Sequence, residues 1–303
     1  IKNGVLQINN FGEIINIFEN KTEIIGQNIE FFNGLLCPGF INAHCHLELS
    51  HLHNISNSVN GFSEFLAIVK KRDKYSKDFI AQAIRGAEDQ MIKNGIVAVG
   101  DICNTIDTLE VKKNKKLYYY NFIESFEVKN ERSNDAILKA LLIRDVFRNN
   151  DLKATITPHS AYSVTPDLMQ LIANVSDKFD YTFSIHNQET KEENILFNEK
   201  KGEFLYWLQS INASPEIWNN RSSSSSFLNE LRPKRIVFVH NTYTTFVDLK
   251  DKYYCTCPYA NLFIENKLPD YSIFSSDNLC VGTDSLASNS QLSIIKELAL
   301  IEQ

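Results

Sequence analysis

Pro38-Gly39-Phe40-Ile41-Asn42-Ala43-His44-Cys45-His46 is an apolar run that ends in two histidines one residue apart. Residues i and i+2 of a strand face the same side. His44 and His46 therefore point together, and Cys45 faces away. Alone, His-x-His is equally an ordinary polar strand end. Its weight comes from what recurs along the chain. Short β-rich runs alternate with longer amphipathic segments, and the runs are 35–43, 96–100, 116–123, 154–157, 181–185, 236–239, 253–257 and 279–282. Helical candidates lie between them at 76–94, 134–149 and 165–179. In the first, Phe79, Ile80, Ala83, Ile84, Ala87 and Met91 follow a 3.6-residue period. Thr165-Pro166-Asp167 is a helix start, with an N-cap candidate before proline in the first turn. The alternation predicts an α/β protein, a (β/α)8 TIM barrel, with a doubly wound sheet as the alternative on pattern alone.

Upstream, residues 4–8 and 13–18 read as strands joined at Asn9-Asn10-Phe11-Gly12, a hairpin. The polar run 221–226 reads as a disordered loop. No linker divides the barrel region. Of 303 residues, 43% are hydrophobic and 22% charged, which excludes wholesale disorder and a coiled coil. No apolar stretch is long enough for a membrane span. A net charge of −6 argues against a broad nucleic-acid or anionic-membrane surface, so neither partner is expected. The six cysteines form no disulfide framework and read as reduced, which points to the cytoplasm. The first residue is Ile1 rather than Met, so the expectation is that some N-terminal sequence is missing. Oligomeric state is not legible, and a homo-oligomer is compatible with the sequence.

Five of the seven histidines, His44, His46, His159, His186 and His240, fall at or just past the C-terminal end of an expected strand. Barrel active sites are built on that rim. Phe183-Ser184-Ile185-His186 ends a strand, and Glu189 follows in the next loop. A histidine there can be a third metal ligand, and a carboxyl there can move protons. Ile236-Val237-Phe238-Val239-His240 repeats the pattern. Cys280-Val281-Gly282-Thr283-Asp284 closes the last strand with a carboxylate, and Gly282 permits close backbone approach. Taken singly, Glu189 and Asp284 are also good helix caps. Together the clusters supply imidazoles and a carboxylate on one rim, the inventory of a catalytic Zn²⁺ site, and Fe²⁺ suits the same ligands.

These stretches, with Thr157-Pro158-His159-Ser160-Ala161-Tyr162-Ser163 and Gly282-Thr283-Asp284-Ser285-Leu286-Ala287-Ser288-Asn289, resemble the amidohydrolase superfamily, in its mononuclear branch of deaminases and triazine chlorohydrolases. The resemblance implies a metal held by His44, His46, His186 and Asp284. It implies a catalytic His240 that steadies the reacting centre, a proton shuttle at Glu189, and a base at Asp284. His159 matches a substrate-contacting position, and Ser288 is assigned to substrate as well. Binuclear members carry a modified lysine where this chain has Thr157-Pro158-His159, so one metal is expected. Family members also carry a small β-sandwich built from segments on both sides of the barrel. Residues 1–36 fit its first half, and 37–303 the barrel. Nineteen residues follow Asp284 (303 − 284), so the second half is expected to be absent.

The reaction implied is hydrolytic deamination of an aminopurine nucleoside or a similar amino-heterocycle. His44-Cys45-His46-Leu47-Glu48-Leu49-Ser50-His51 is similar to the aminofutalosine deaminases of menaquinone biosynthesis, with Glu48 and His51 as substrate contacts. Glu48 and His51 as mere supports of the rim is the competing reading. Lys70, Lys71 and Arg72 are candidates for a substrate carboxylate, and Phe62, Phe65, Tyr162 and Tyr243 for stacking on a base. Two other functions stay open: hydrolysis of another C–N or a C–Cl bond, as in a cyclic amidohydrolase or chlorohydrolase, and a non-catalytic, metal-stabilised binding barrel.

Overall fold

The computed structural model describes residues 2–19, 29–55, 59, 61–176, 182–229, 231, 235–247 and 252–302. The chain divides into two units, residues 1–38 and 39–303. The end of the expected helix 165–179 and the first residue of the expected strand 181–185 lie outside the described residues.

In the first unit, β1 (Val5–Ile8) and β2 (Ile14–Phe18) pair antiparallel, Val5 opposite Phe18. The turn between them is held by Asn9, whose Oδ1 accepts from the Phe11 and Glu13 amides at 2.9 Å each. Gly12 closes it at φ +81°, a conformation that glycine adopts without steric cost. The hairpin is the expected one.

The second unit holds eight further strands: β3 (Phe40–Cys45), β4 (Ile96–Cys103), β5 (Tyr118–Ser125), β6 (Lys153–Pro158), β7 (Thr182–Asn187), β8 (Arg235–His240), β9 (Lys252–Thr256) and β10 (Leu279–Val281). Each expected run is a strand, with ends shifted by a few residues. They read as continuous apolar runs because parallel strands are covered on both faces. Ile123, Ile156, Ile185 and Phe238 are all buried.

All pairings are parallel and follow chain order, β3-β4-β5-β6 in one sheet and β7-β8-β9-β10 in a second. The reversal of strand order that defines a doubly wound sheet is absent from both. One continuous sheet was the expectation, and two are found. Between β6 and β7 the Thr157 hydroxyl takes the place of a backbone pair, accepting from the Ser184 amide at 2.9 Å. The His186 amide then donates to the His159 carbonyl at 2.9 Å. Between β10 and β3, the Thr283 and Asp284 amides both donate to the His44 carbonyl at 3.1 Å. β10 is only three residues long, so a full ladder does not form there.

The helices Lys77–Lys93, Ser133–Arg148 and Pro166–Ser176 match the three candidates. Ser76 Oγ caps the first through the Phe79 amide at 3.3 Å, and Thr165 Oγ1 caps the third through Leu168 at 3.1 Å. The expected disorder at 221–226 is not found. Arg221 is 1% exposed, and its Nη1 donates to the carbonyls of Ala161 and Val164. Ser226 Oγ accepts from the Ser222 and Ser223 amides at 3.1 and 2.9 Å. A guanidinium buried against orphan carbonyls anchors a loop whose composition alone gives no sign of it. Among the described residues no disulfide forms, and Cys45, Cys103, Cys255 and Cys257 are buried thiols. No helix among them is long and apolar enough to cross a membrane.

Candidate metal centre and active site

β3 delivers His44 and His46, buried and on one face, while Cys45 packs into the apolar cluster with Leu47, Ile84 and Met91. β7 delivers His186 and β8 ends in His240. Asp284 lies three residues past β10. The lining up of β10 against β3 depends on Gly282. A Cβ there would meet the His44 Cβ and carbonyl at 2.8 Å.

The ring nitrogens converge. His46 Nε2 lies 3.2 Å from His44 Nε2 and 3.2 Å from His186 Nε2. Asp284 Oδ1 stands 3.7 Å from His44 Nε2 and 3.6 Å from His46 Nε2. His44, His46 and His186 form one group of convergent ligand atoms, and His44, His240 and Asp284 a second. Burial lowers the basicity of all three imidazoles, taking His46 to about 3 and His186 well below its ordinary value. They are therefore neutral near pH 7 and carry lone pairs. His186 points Nδ1 at the His159 carbonyl at 3.0 Å, so its proton sits there and Nε2 is bare. Nitrogens about 3.3 Å apart are what two ligands of a tetrahedral ion at ~2.0–2.1 Å require. The donor set of neutral imidazoles and a carboxylate fits one divalent cation. Burial works to raise Asp284, but its polar neighbours His44 and His46 outweigh it and hold the carboxyl below its ordinary range.

Glu189 is 4% exposed, and its Oε1 is 3.6 Å from His240 Nε2. Burial pushes its carboxyl up to about 7. His240 Nδ1 faces Asn261 Oδ1 at 2.9 Å, while Asn261 Nδ2 donates to the His240 carbonyl at 3.3 Å. The amide orientation puts the His240 proton on Nδ1 and leaves Nε2 toward Glu189. Left-handed backbone also gathers here: Gln188 (φ +46°), His240 (+72°), Asn241 (+56°) and Asp284 (+56°). Non-glycine residues hold such conformations only where their surroundings enforce them. Asn241 is fixed by donating to the Phe238 carbonyl at 2.8 Å and accepting from Asn187 Nδ2 at 3.0 Å.

The other assigned residues divide. His159 stacks on His186 with centroids 4.6 Å apart, and its Nδ1 is 2.6 Å from Ser163 Oγ, so it stands beside the metal group. Ser288 donates to Asp284 Oδ2 and so stands beside the group of convergent atoms. Glu48 and His51 are engaged within the protein. Both Glu48 oxygens are taken by Arg72, Asn104 and Thr105, and His51 Nε2 by the Arg72 carbonyl at 3.0 Å. The short helix Leu47–Leu52 carries both, and their partners lie in neighbouring loops, as the rim-supporting reading requires. Arg72 is engaged by Glu48, whereas Lys70 and Lys71 are exposed. Phe62, Phe65 and Tyr162 belong to the main core, and the Tyr243 hydroxyl donates to Glu265.

Sequence reading missed Glu124, at the end of β5, and Asn261. The strand-end signal that found the histidines also marks Glu124; nothing local marks Asn261, twenty-one residues beyond its partner.

Residues 35–302 match the amidohydrolase family model. The chain belongs to the amidohydrolase family. With it stands the expectation of a hydrolase acting on carbon–nitrogen bonds, and the fold is of the TIM-barrel type with parallel strands. The chain is 26% identical over 281 residues to adenosine deaminase of Helicobacter pylori, covering 88% of this chain and 68% of that one. It is 23% identical over 282 residues to aminodeoxyfutalosine deaminase of Nitratiruptor sp., covering 88% and 67%. The crystal structure of Helicobacter pylori aminofutalosine deaminase in complex with methylthio-coformycin superposes with a TM-score of 0.73 at 24% identity, covering 87% of this chain and 67% of that one. The chain thus spans about two thirds of the length of these relatives.

Proposed function

We propose that this amidohydrolase is a metal-dependent hydrolytic deaminase of adenine-type nucleosides, and that its eight parallel strands close into one barrel around the site. The carrying observation is the convergence of His44, His46 and His186 at 3.2 Å separations beside Asp284, with a Glu189–His240 pair at 3.6 Å. The names of the relatives support the substrate class.

In this reading His44, His46, His186 and Asp284 would hold one divalent ion, zinc or iron. Such an ion, when bound, supplies a water acidic enough to attack near neutral pH. Asp284 would accept a proton from the attacking water, with its second oxygen fixed by the hydrogen bond from Ser288. Glu189 holds a proton at its carboxyl and delivers it to the ring nitrogen next to the amino-bearing carbon, so negative charge does not build up there. His240, with Nδ1 committed to Asn261, turns Nε2 toward the reacting centre, where it can accept a hydrogen bond from the attacking water. The proton then passes to the amine, which departs as ammonia.

The finer proposal is an aminofutalosine-type substrate, as in menaquinone biosynthesis, which rests on the His44–His51 stretch and the second relative. The hairpin of residues 4–18 as part of a β-sandwich belongs to the same proposal. Ammonia release from a panel of aminopurine nucleosides, with and without chelator, tests the reading. Chelator-sensitive release supports it. Chloride release from chlorotriazines in place of ammonia would mark a chlorohydrolase, and metal uptake with no turnover a binding barrel.

A further inference from the structure

A line of polar side chains runs from the loop before helix Lys77–Lys93 to the back of His186. Arg72 Nη2 donates to Glu48 Oε1 at 2.8 Å. The other Glu48 oxygen accepts from the amides of Asn104 and Thr105, both at 3.0 Å, and from Thr105 Oγ1 at 2.9 Å. Asn104 lies just past β4, and its Nδ2 donates to Glu124 Oε2 at 3.0 Å. Arg72 Nη1, 3.5 Å from Asn104 Oδ1, fixes which way that amide points. Glu124 Oε1 then faces His186 Nδ1 at 3.4 Å and has no other partner, in a side chain 3% exposed. The His159 carbonyl shares the same Nδ1–H at 3.0 Å.

We infer that Glu124 is a positioning residue for the metal centre: with the His159 carbonyl it fixes the His186 proton on Nδ1 and keeps Nε2 bare and basic for the cation, while Arg72, Glu48 and Asn104 hold Glu124 in place. The inference rests on the metal-centre reading above. A carbonyl alone fixes the ring's direction. A second oxygen behind the ring holds the same N–H from another side, and outer partners of this kind change metal affinity about 10–100-fold. The line explains why two buried acidic residues and a part-buried arginine meet at the rim without touching the ring nitrogens that converge.

Glu124→Gln is the informative change. Asn104 Nδ2 fixes the new amide oxygen where Oε2 was, so the new NH₂ faces the His186 N–H, donor against donor. The full chain is stripped with chelator, then titrated with Zn²⁺ against a chromophoric competitor, and separately loaded with Co²⁺ to record its visible spectrum. E124Q is expected to bind zinc about 10–100-fold more weakly and to shift the cobalt bands. N104A, which removes the donor that holds Glu124, is expected to move both in the same direction by less. Glu88→Gln removes a different buried carboxyl, one that accepts from Tyr119 Oη at 3.0 Å, and should leave both unchanged. Melting of the metal-free variants reports folding, and N104A carries the test if E124Q does not fold. Folded E124Q and N104A with wild-type zinc affinity and cobalt spectrum would overturn the inference alone, as would an equal loss in E88Q. If the wild-type chain takes up neither ion, the metal-centre reading fails and this inference with it.

Discussion

Burial pushes the Glu189 carboxyl up to about 7, where a group both holds a proton and gives it away readily. Two outcomes follow at this position. Glu189→Gln should lower the rate of ammonia release by about 10²–10⁴-fold while the metal content of the purified protein stays as in the wild type. The rate should also fall as pH rises through about 7, because Glu189 must start protonated; a pH–rate profile checks the sign, and a rate that climbs across that range would reassign the acid. His186→Ala should instead lose the ion, measured by metal analysis. The convergence of His44, His46 and His186 was legible because each stands at or just past a strand end, where spacing says which way a side chain points. Asn261 was not. Its bond to His240 joins a helix to a strand end twenty-one residues earlier, and an asparagine within an apolar helix carries no local mark of that task.

The strands were legible as apolar runs, and their alternation with helices left a doubly wound order open until the pairings excluded it. The seams were not. Thr157 reads as an ordinary strand residue, yet its hydroxyl stands in for a backbone pair with Ser184. Gly282 had a readable meaning, close approach, and the structure supplies the neighbour: a Cβ would press on His44 at 2.8 Å. Gly282→Ala should therefore cost about 1–3 kcal/mol, the usual penalty of overpacking, and should weaken zinc binding because the strain falls on a ligand. Thermal melting and a zinc titration of the same variant test both parts. The Arg221 loop shows the opposite failure. Its serines read as disorder, but the fold provides carbonyls of Ala161 and Val164 that a guanidinium can satisfy, and composition does not encode a partner sixty residues away.

At the scale of the molecule, the least legible feature is Lys112. It is fully buried, with its ammonium on Asp101, on Asn121 Oδ1 at 2.6 Å and on Cys103 Sγ at 3.2 Å. Asp101 in turn accepts from the Leu47 amide at 2.8 Å, directly after His46. Lys112→Met strands a buried carboxylate and should destabilise the protein by about 3–5 kcal/mol, whereas replacing both partners with apolar residues should recover much of it; denaturant titrations of the single and double variants decide. Lys112 is internal because its helix sets it against Asp101 and Cys103 of β4 and Asn121 of β5. The ligands are also apportioned between the two sheets. Of these proposed ligands, His44 is on β3 and His46 just past it in one sheet, His186 is on β7 in the other, and Asp284 follows β10. A cation seated among them would clasp the two halves at once, so its removal should be felt as lost heat resistance throughout the second unit, and chelated protein should melt at a distinctly lower temperature than reloaded protein.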